Sequence, residues 1–93
     1  MVHTIADITG TGATVALSAT SVKCAWIHFS VPAANTAGVR VGDANVTVSR
    51  GAEVIKGTGI IWPSSADNNS LNLALVSAYI GNGDKLSVTY ETH

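Results

Sequence analysis

The strongest constraint on this chain is the rhythm of its apolar residues. Nearly every segment alternates small polar and β-branched residues, with Gly, Asn, Asp or Ser clusters between, which is the pattern of short strands joined by tight turns. No window sustains the helical period except, weakly, 71–78, where Leu71, Leu75 and Ala78 would line one face. Val76, Tyr79 and Ile80 favour a pleated surface, and the loop composition of 64–70 leads directly into them, so this segment is read as a strand preceded by a turn. The expectation is an all-β chain, a small antiparallel β-sandwich or jelly roll of about eight short strands, with 1–93 forming a single domain. The strands are expected over 4–8, 14–18, 23–31, 39–41, 44–49, 59–62, 74–80 and 85–91. Two tight hairpins are expected, one turning at Gly42-Asp43 and one at Gly81-Asn82-Gly83-Asp84, because these residues accept positive φ. Pro63 lacks a backbone donor and closes the strand that holds Trp62.

A 93-residue chain has a thin core. Surface scaling gives roughly 5,000 Å² exposed when folded against about 14,000 Å² for the open chain, so about 63% is removed from water. Apolar residues are 46% of the chain and charged residues 12%, the latter about half the usual share. Apolar groups must therefore remain outside. The single cysteine, Cys24, has no partner for an internal disulfide, so stability rests on packing within or between chains. An oligomer is expected, with neighbouring copies completing the interior. The formal charge of −1 and the absence of a basic tract argue against nucleic acid and anionic membrane as partners. No apolar run reaches the roughly 18 residues of a membrane span and no basic leader is present, so the chain is expected to be neither membrane-inserted nor secreted.

The period of two assigns faces. Within 23–31 it places Ala25, Ile27, Phe29 and Val31 toward the core, and Cys24, Trp26, His28 and Ser30 on the opposite side. Trp26 is the candidate contact with another copy or a partner, since Trp is enriched in interface cores, and His28 stands beside it. The alternative is that Trp26 packs within its own chain. The last strand turns Leu86, Val88 and Tyr90 inward and Lys85, Ser87, Thr89 and Glu91 outward. Thr14, Ala16, Ser18, Thr47 and Ser49 form flat uncharged surfaces that invite edge pairing unless an assembly covers them. Arg40 and Arg50 flank one expected hairpin and offer positive charge to a carboxylate-bearing partner surface, the alternative being two solvated strand residues.

Catalytic chemistry is not legible. Cys24 and His28 are four residues apart, about 13 Å along an extended strand, too far for a nucleophile and its base. Asp7, Asp43, Asp67, Asp84, Glu53 and Glu91 lie singly in or beside turns, where turn chemistry or solvation explains them. His3, His28, His93 and Cys24 lack metal-ligand spacing, although paired terminal strands would bring His3 and His93 together. Three G-x-G fragments lack the helix or lysine of a phosphate loop and read as turns. The tripeptides Asn45-Val46-Thr47 and Asn68-Asn69-Ser70 match the glycosylation pattern by chance. No enzyme activity, metal or cofactor is expected. A sugar-binding role would need exposed aromatics, and the candidates are Trp26, Trp62, Tyr79, Tyr90 and Phe29, several of which read as core.

The order Val39-Arg40-Val41-Gly42-Asp43, then Val46 to Gly51, Gly57 to Pro63 and Gly83-Asp84-Lys85-Leu86-Ser87-Val88-Thr89-Tyr90, resembles small structural proteins of tailed bacteriophages. The stretch from Ala16-Leu17-Ser18 to Trp26-Ile27 fits the beginning of such proteins, so the resemblance runs from about Val15 to Tyr90. Where that group carries an acidic or aromatic segment before the penultimate strand, this chain has Asn68-Asn69-Ser70-Leu71-Asn72-Leu73. The resemblance implies a β-sandwich or jelly roll on the virion surface, made in the host cytoplasm. It further implies a capsid decoration or cement protein, a homotrimer that clamps copies of the major capsid protein. Alternatives are a head-fibre, tail or spike adaptor, or a carbohydrate-binding module.

Overall fold

The computed structural model describes residues 1–63 and 71–92. Its strands are β1 (Val2–Thr9), β2 (Ala13–Ala16), β3 (Cys24–Ser30), β4 (Val39–Gly42), β5 (Ala52–Val54), β6 (Gly59–Pro63), β7 (Ser77–Ile80) and β8 (Lys85–Thr92). A 3₁₀ turn, Leu73–Leu75, takes the place of the first residues of the expected 74–80 strand, its N–H at Ala74 capped by the Asn72 side chain. The strands form two antiparallel sheets, a first of order β1-β8-β3-β6 and a second of order β2-β7-β4-β5. Every early strand pairs with its late counterpart: β1 with β8, β2 with β7, β3 with β6, β4 with β5. The chain is one long hairpin rolled up so that β8 also meets β3 and β7 also meets β4. That connectivity is a jelly roll, the more specific of the two expected all-β architectures.

The sheets bury one continuous cluster. Among the described residues it contains fourteen, including Ile27, Phe29 and Leu86 from the first sheet and Val39, Val41 and Ile80 from the second. Trp62 closes its flank edge-on to Phe29, with ring centroids 4.9 Å apart, and His3 stacks on Tyr90 at 5.0 Å. The accessible surface is 5118 Å², close to the roughly 5,000 Å² scaling value for a folded monomer. This corrects the expectation that neighbouring copies complete the interior. One chain encloses its own core, because each strand contributes an alternating apolar set to the same gap; the surplus apolar residues lie on outer surfaces instead.

At one end of the sandwich the chain crosses between sheets four times, at 10–12, 31–38, 55–58 and 81–84. These crossings are bonded into a collar. Asp84, 6% exposed, accepts the N–H of Thr36 on Oδ1 at 2.8 Å and that of Ala37 on Oδ2 at 3.2 Å. Asn35 donates Nδ2–H to the Lys85 carbonyl at 2.7 Å and accepts the Lys85 N–H at 3.0 Å, the two-way exchange a strand neighbour would make. Gly10 donates to the Asp84 carbonyl and accepts from Gly83. A side chain at Gly10 would overlap the carbonyl of Gly81, so the close approach requires glycine. The Val31 backbone exchanges bonds with Gly57 and Thr58 in the third crossing.

Four expectations are corrected here. The turn at 81–84 forms, with Asp84 N–H donating to the Gly81 carbonyl, but it joins β7 to β8 across the sandwich and is not a hairpin. Its residues suit either geometry; the partners of Asp84 in the 31–38 crossing decide. Similarly, the partner of β4 is Ala52–Val54 and not 44–49, so the hairpin does not turn at Gly42-Asp43. Residues 43–51 form a folded tip instead: the Asp43 carboxylate accepts the Asn45 N–H, and Thr47 and Arg50 exchange backbone bonds. Within it Val46 is 2% exposed, packs over Gly42 and Gly51 outside the main cluster, and its carbonyl accepts the Thr14 hydroxyl at 2.6 Å. Thr14, expected as a bare edge residue, is thereby engaged within the chain. Finally, Asp84 is a buried acceptor and not a solvated turn carboxylate. The 64–70 loop, Asp67, Asn68-Asn69-Ser70 and His93 lie outside the described residues.

Truncating Asp84 removes the buried charged acceptor of two part-buried backbone bonds, from Thr36 and Ala37. Asp84→Ala is expected to lower unfolding free energy by about 2–4 kcal/mol, read by urea denaturation. Gly51 has φ +118° and an added Cβ would overlap Val46 Cγ2, so Gly51→Ala is expected to cost about 1–3 kcal/mol in the same assay.

Candidate functional site

The outer face of the first sheet gathers two of the four residues singled out from the sequence. Register aligns Val2, Glu91, Trp26 and Pro63 in one row across β1, β8, β3 and β6, and Thr4, Thr89, His28 and Ile61 in the next. Ser30, Ser87 and Gly59 continue the pattern, with Asp7 accepting the Ser87 hydroxyl at 2.8 Å. Trp26 is half-buried and its indole N–H donates to Glu91 Oε1 at 2.8 Å. That bond satisfies the polar end of the indole within the chain and pins the ring on the sheet, leaving part of its apolar surface outward. His28 is half-buried and lies against Gly59, where a Cβ would sit 3.1 Å from Nε2 and 2.8 Å from the Phe29 carbonyl. Ile61 and Val2, each 56% exposed, extend the apolar area toward both edges. The two rows around Trp26 and His28 contain no lysine or arginine.

Cys24 does not belong to this face. Between Cys24 and Trp26 the pairing with β8 advances by one residue while β3 advances by two, which makes Ala25 the extra residue of a β-bulge. The bulge inverts the alternation, so Cys24 turns inward and is fully buried, while Ala25, expected in the core, is only half-buried. Its thiol donates to the Val22 carbonyl at 3.4 Å. Burial pushes the Cys24 thiol above its ordinary value, partly offset by a backbone hydrogen bond from Leu73. Cys24 and His28 therefore occupy opposite faces of the first sheet.

Arg40 and Arg50 are placed elsewhere. Arg40 stands on the outer face of the second sheet, where Nη1 donates to the Gly51 carbonyl at 3.0 Å. Arg50 is exposed in the folded tip. Beside Arg40 the register sets Tyr79 on β7 and Glu53 on β5, and these three line a groove of about 240 Å³. Sequence reasoning missed this grouping because it requires β5 to begin at Ala52. Among the described residues no three His, Cys, Asp or Glu side chains lie close enough together to hold a metal ion. Comparison with protein-family models, curated proteins and solved structures finds no match to this chain.

The buried thiol gives a signed pH effect. Above the ordinary value of 9.0, the unfolded chain loses the thiol proton while the folded chain keeps it, so stability falls with rising pH until the folded thiol also ionises. The slope is expected to approach about 1.4 kcal/mol per pH unit at most. Urea midpoints between pH 8 and pH 10 should fall less steeply in Cys24→Ala, whatever that variant's stability at neutral pH.

Proposed function

We propose that this chain is a bacteriophage capsid decoration, or cement, protein that self-associates as a trimer and stabilises the shell by clamping neighbouring capsid subunits. The observation that carries the reading is the outer face of the first sheet, where Trp26, His28, Ile61 and Val2 form a surface with a pinned aromatic at its centre. Trp is among the residues enriched at binding hot spots. The sequence resemblance from Val15 to Tyr90 supplies the virion context, and the jelly roll is an architecture that viral capsid domains use. Fold alone does not fix function, so the face and the resemblance bear the weight.

Magnitude favours a repeated contact. Four strands spaced by about 4.8 Å and a strand of seven residues at about 3.3 Å each give a face of roughly 19 by 23 Å, about 440 Å². A stable pair takes about 800 Å² from each partner. One such patch is weak alone, but contacts repeated around a ring and across a shell add through effective concentration. A subunit that binds only the assembled shell then stabilises it by mass action. Arg50, at the exposed tip, is free to meet carboxylates of a partner.

Light scattering coupled to size exclusion is expected to report a trimer that dissociates on dilution. Trp26→Ala should weaken self-association by about 2 kcal/mol, roughly thirtyfold, while the monomer remains folded. Incubation with empty shells should raise the temperature at which the shells come apart. A chain that stays monomeric at high concentration and never sediments with shells overturns the proposal; a trimer that ignores shells overturns the cement role and favours a fibre, tail or spike adaptor.

A further inference from the structure

We propose that the groove on the outer face of the second sheet binds a neutral sugar, one pyranose ring at a time. The inference goes beyond the shell-binding reading and does not depend on it, since the groove and the Trp26 face belong to different sheets. Adjacent strands set Tyr79, Arg40 and Glu53 in one row, neighbours about 4.8 Å apart. The bond from Arg40 Nη1 to the Gly51 carbonyl ties the guanidinium to the base of the folded tip and uses one of its five donors. Glu53 is exposed on the neighbouring edge strand and brings a carboxylate to the same groove. Tyr79, half-buried, forms one wall with its ring, and Val48, 67% exposed, forms a rim from the folded tip. Gly38 and Gly81 place no side chain in the space.

The charges select the ligand. A simple anion attracted by Arg40 meets the Glu53 carboxylate, and a simple cation attracted by Glu53 meets the guanidinium. An apolar ligand would strip water from both charges and return no hydrogen bond. Vicinal hydroxyls resolve the conflict, because each can accept from the guanidinium while its neighbour donates to the carboxylate, both as charge-assisted bonds. The C–H face of the same ring would lie on Tyr79. The size fits one ring: 240 Å³ is below the roughly 300–1,000 Å³ of sites that take drug-sized ligands. At about −0.3 kcal/mol per non-hydrogen atom, a free monosaccharide in an open groove of that size binds with roughly millimolar affinity.

The test is amide NMR of the isotope-labelled protein titrated into the high millimolar range with glucose, galactose, mannose and N-acetylglucosamine. At least one sugar is expected to give saturable shifts concentrated at Gly38, Arg40, Glu53, Tyr79 and Gly81. Glu53→Gln and Arg40→Ala should each weaken that binding about tenfold, with the rest of the spectrum showing a retained fold. Glu53 is exposed, so its variant keeps the test decisive if Arg40→Ala perturbs β4. Sodium acetate and phosphate at matched ionic strength should leave these amides unmoved. The proposal is overturned if none of the four sugars gives saturable shifts, if Glu53→Gln binds as the parent does, or if acetate or phosphate moves the same amides more strongly.

Discussion

The buried carboxylate of Asp84 is the contact on which the architecture turns. It sits in the crossing from β7 to β8 and accepts hydrogen bonds from the backbone N–H groups of Thr36 and Ala37 in the crossing from β3 to β4. Two sheet-to-sheet passages are thereby tied at one end of the sandwich, and the Asn35–Lys85 exchange next to it starts β8 in the first sheet and not beside β7. Were 81–84 a hairpin, β7 and β8 would be neighbours and the rolled pairing of early with late strands could not form. The collar also spares buried backbone groups the cost of going unpaired, which at about 1–3 kcal/mol each would be large against the marginal stability of a small domain.

With its interior closed, the chain has two outer faces of different chemistry. The first sheet presents Trp26, Ile61 and Val2 among threonines, serines and His28, with the Trp26 indole donor already engaged by Glu91. On the proposed reading this face meets another protein and gains by excluding water there. The second presents an arginine and a glutamate side by side beside a tyrosine, an arrangement that favours a small polar ligand over a flat apolar partner. The tip 43–51 contributes to this division. By folding back so that Val46 covers Gly42 and Gly51, it narrows the open area of the second sheet and raises Val48 as a rim.

Much of the fold was legible residue by residue. In β8 the alternation correctly assigned Leu86 and Val88 to the core, and in β3 it did so for Ile27 and Phe29, because each strand has one apolar side and the side-chain period admits no other placement. It failed at Cys24, where one inserted residue inverted the phase, and bulges leave no mark in an alternation this short. It failed again at 44–49, whose β-branched residues resemble a strand although Val46 serves as a plug between two turns. Of the residues singled out from the sequence, Trp26 and His28 lie together because they share a strand. Arg40 was found without Glu53 or Tyr79, because nothing local states which strands are neighbours.

The amino-acid sequence by itself determined the class of fold, the approximate place of seven of the eight strands among the described residues and which way most of their side chains point, since these follow from a period of two and from residues that tolerate turns. Only the tertiary structure decided which strands adjoin, that the last turn crosses the sandwich, and that Arg40, Glu53 and Tyr79 share a groove. The physical reason is range: facing is set by neighbours one or two positions away, whereas pairing is set by hydrogen bonds such as Asp84 to Thr36, 48 residues apart in the chain.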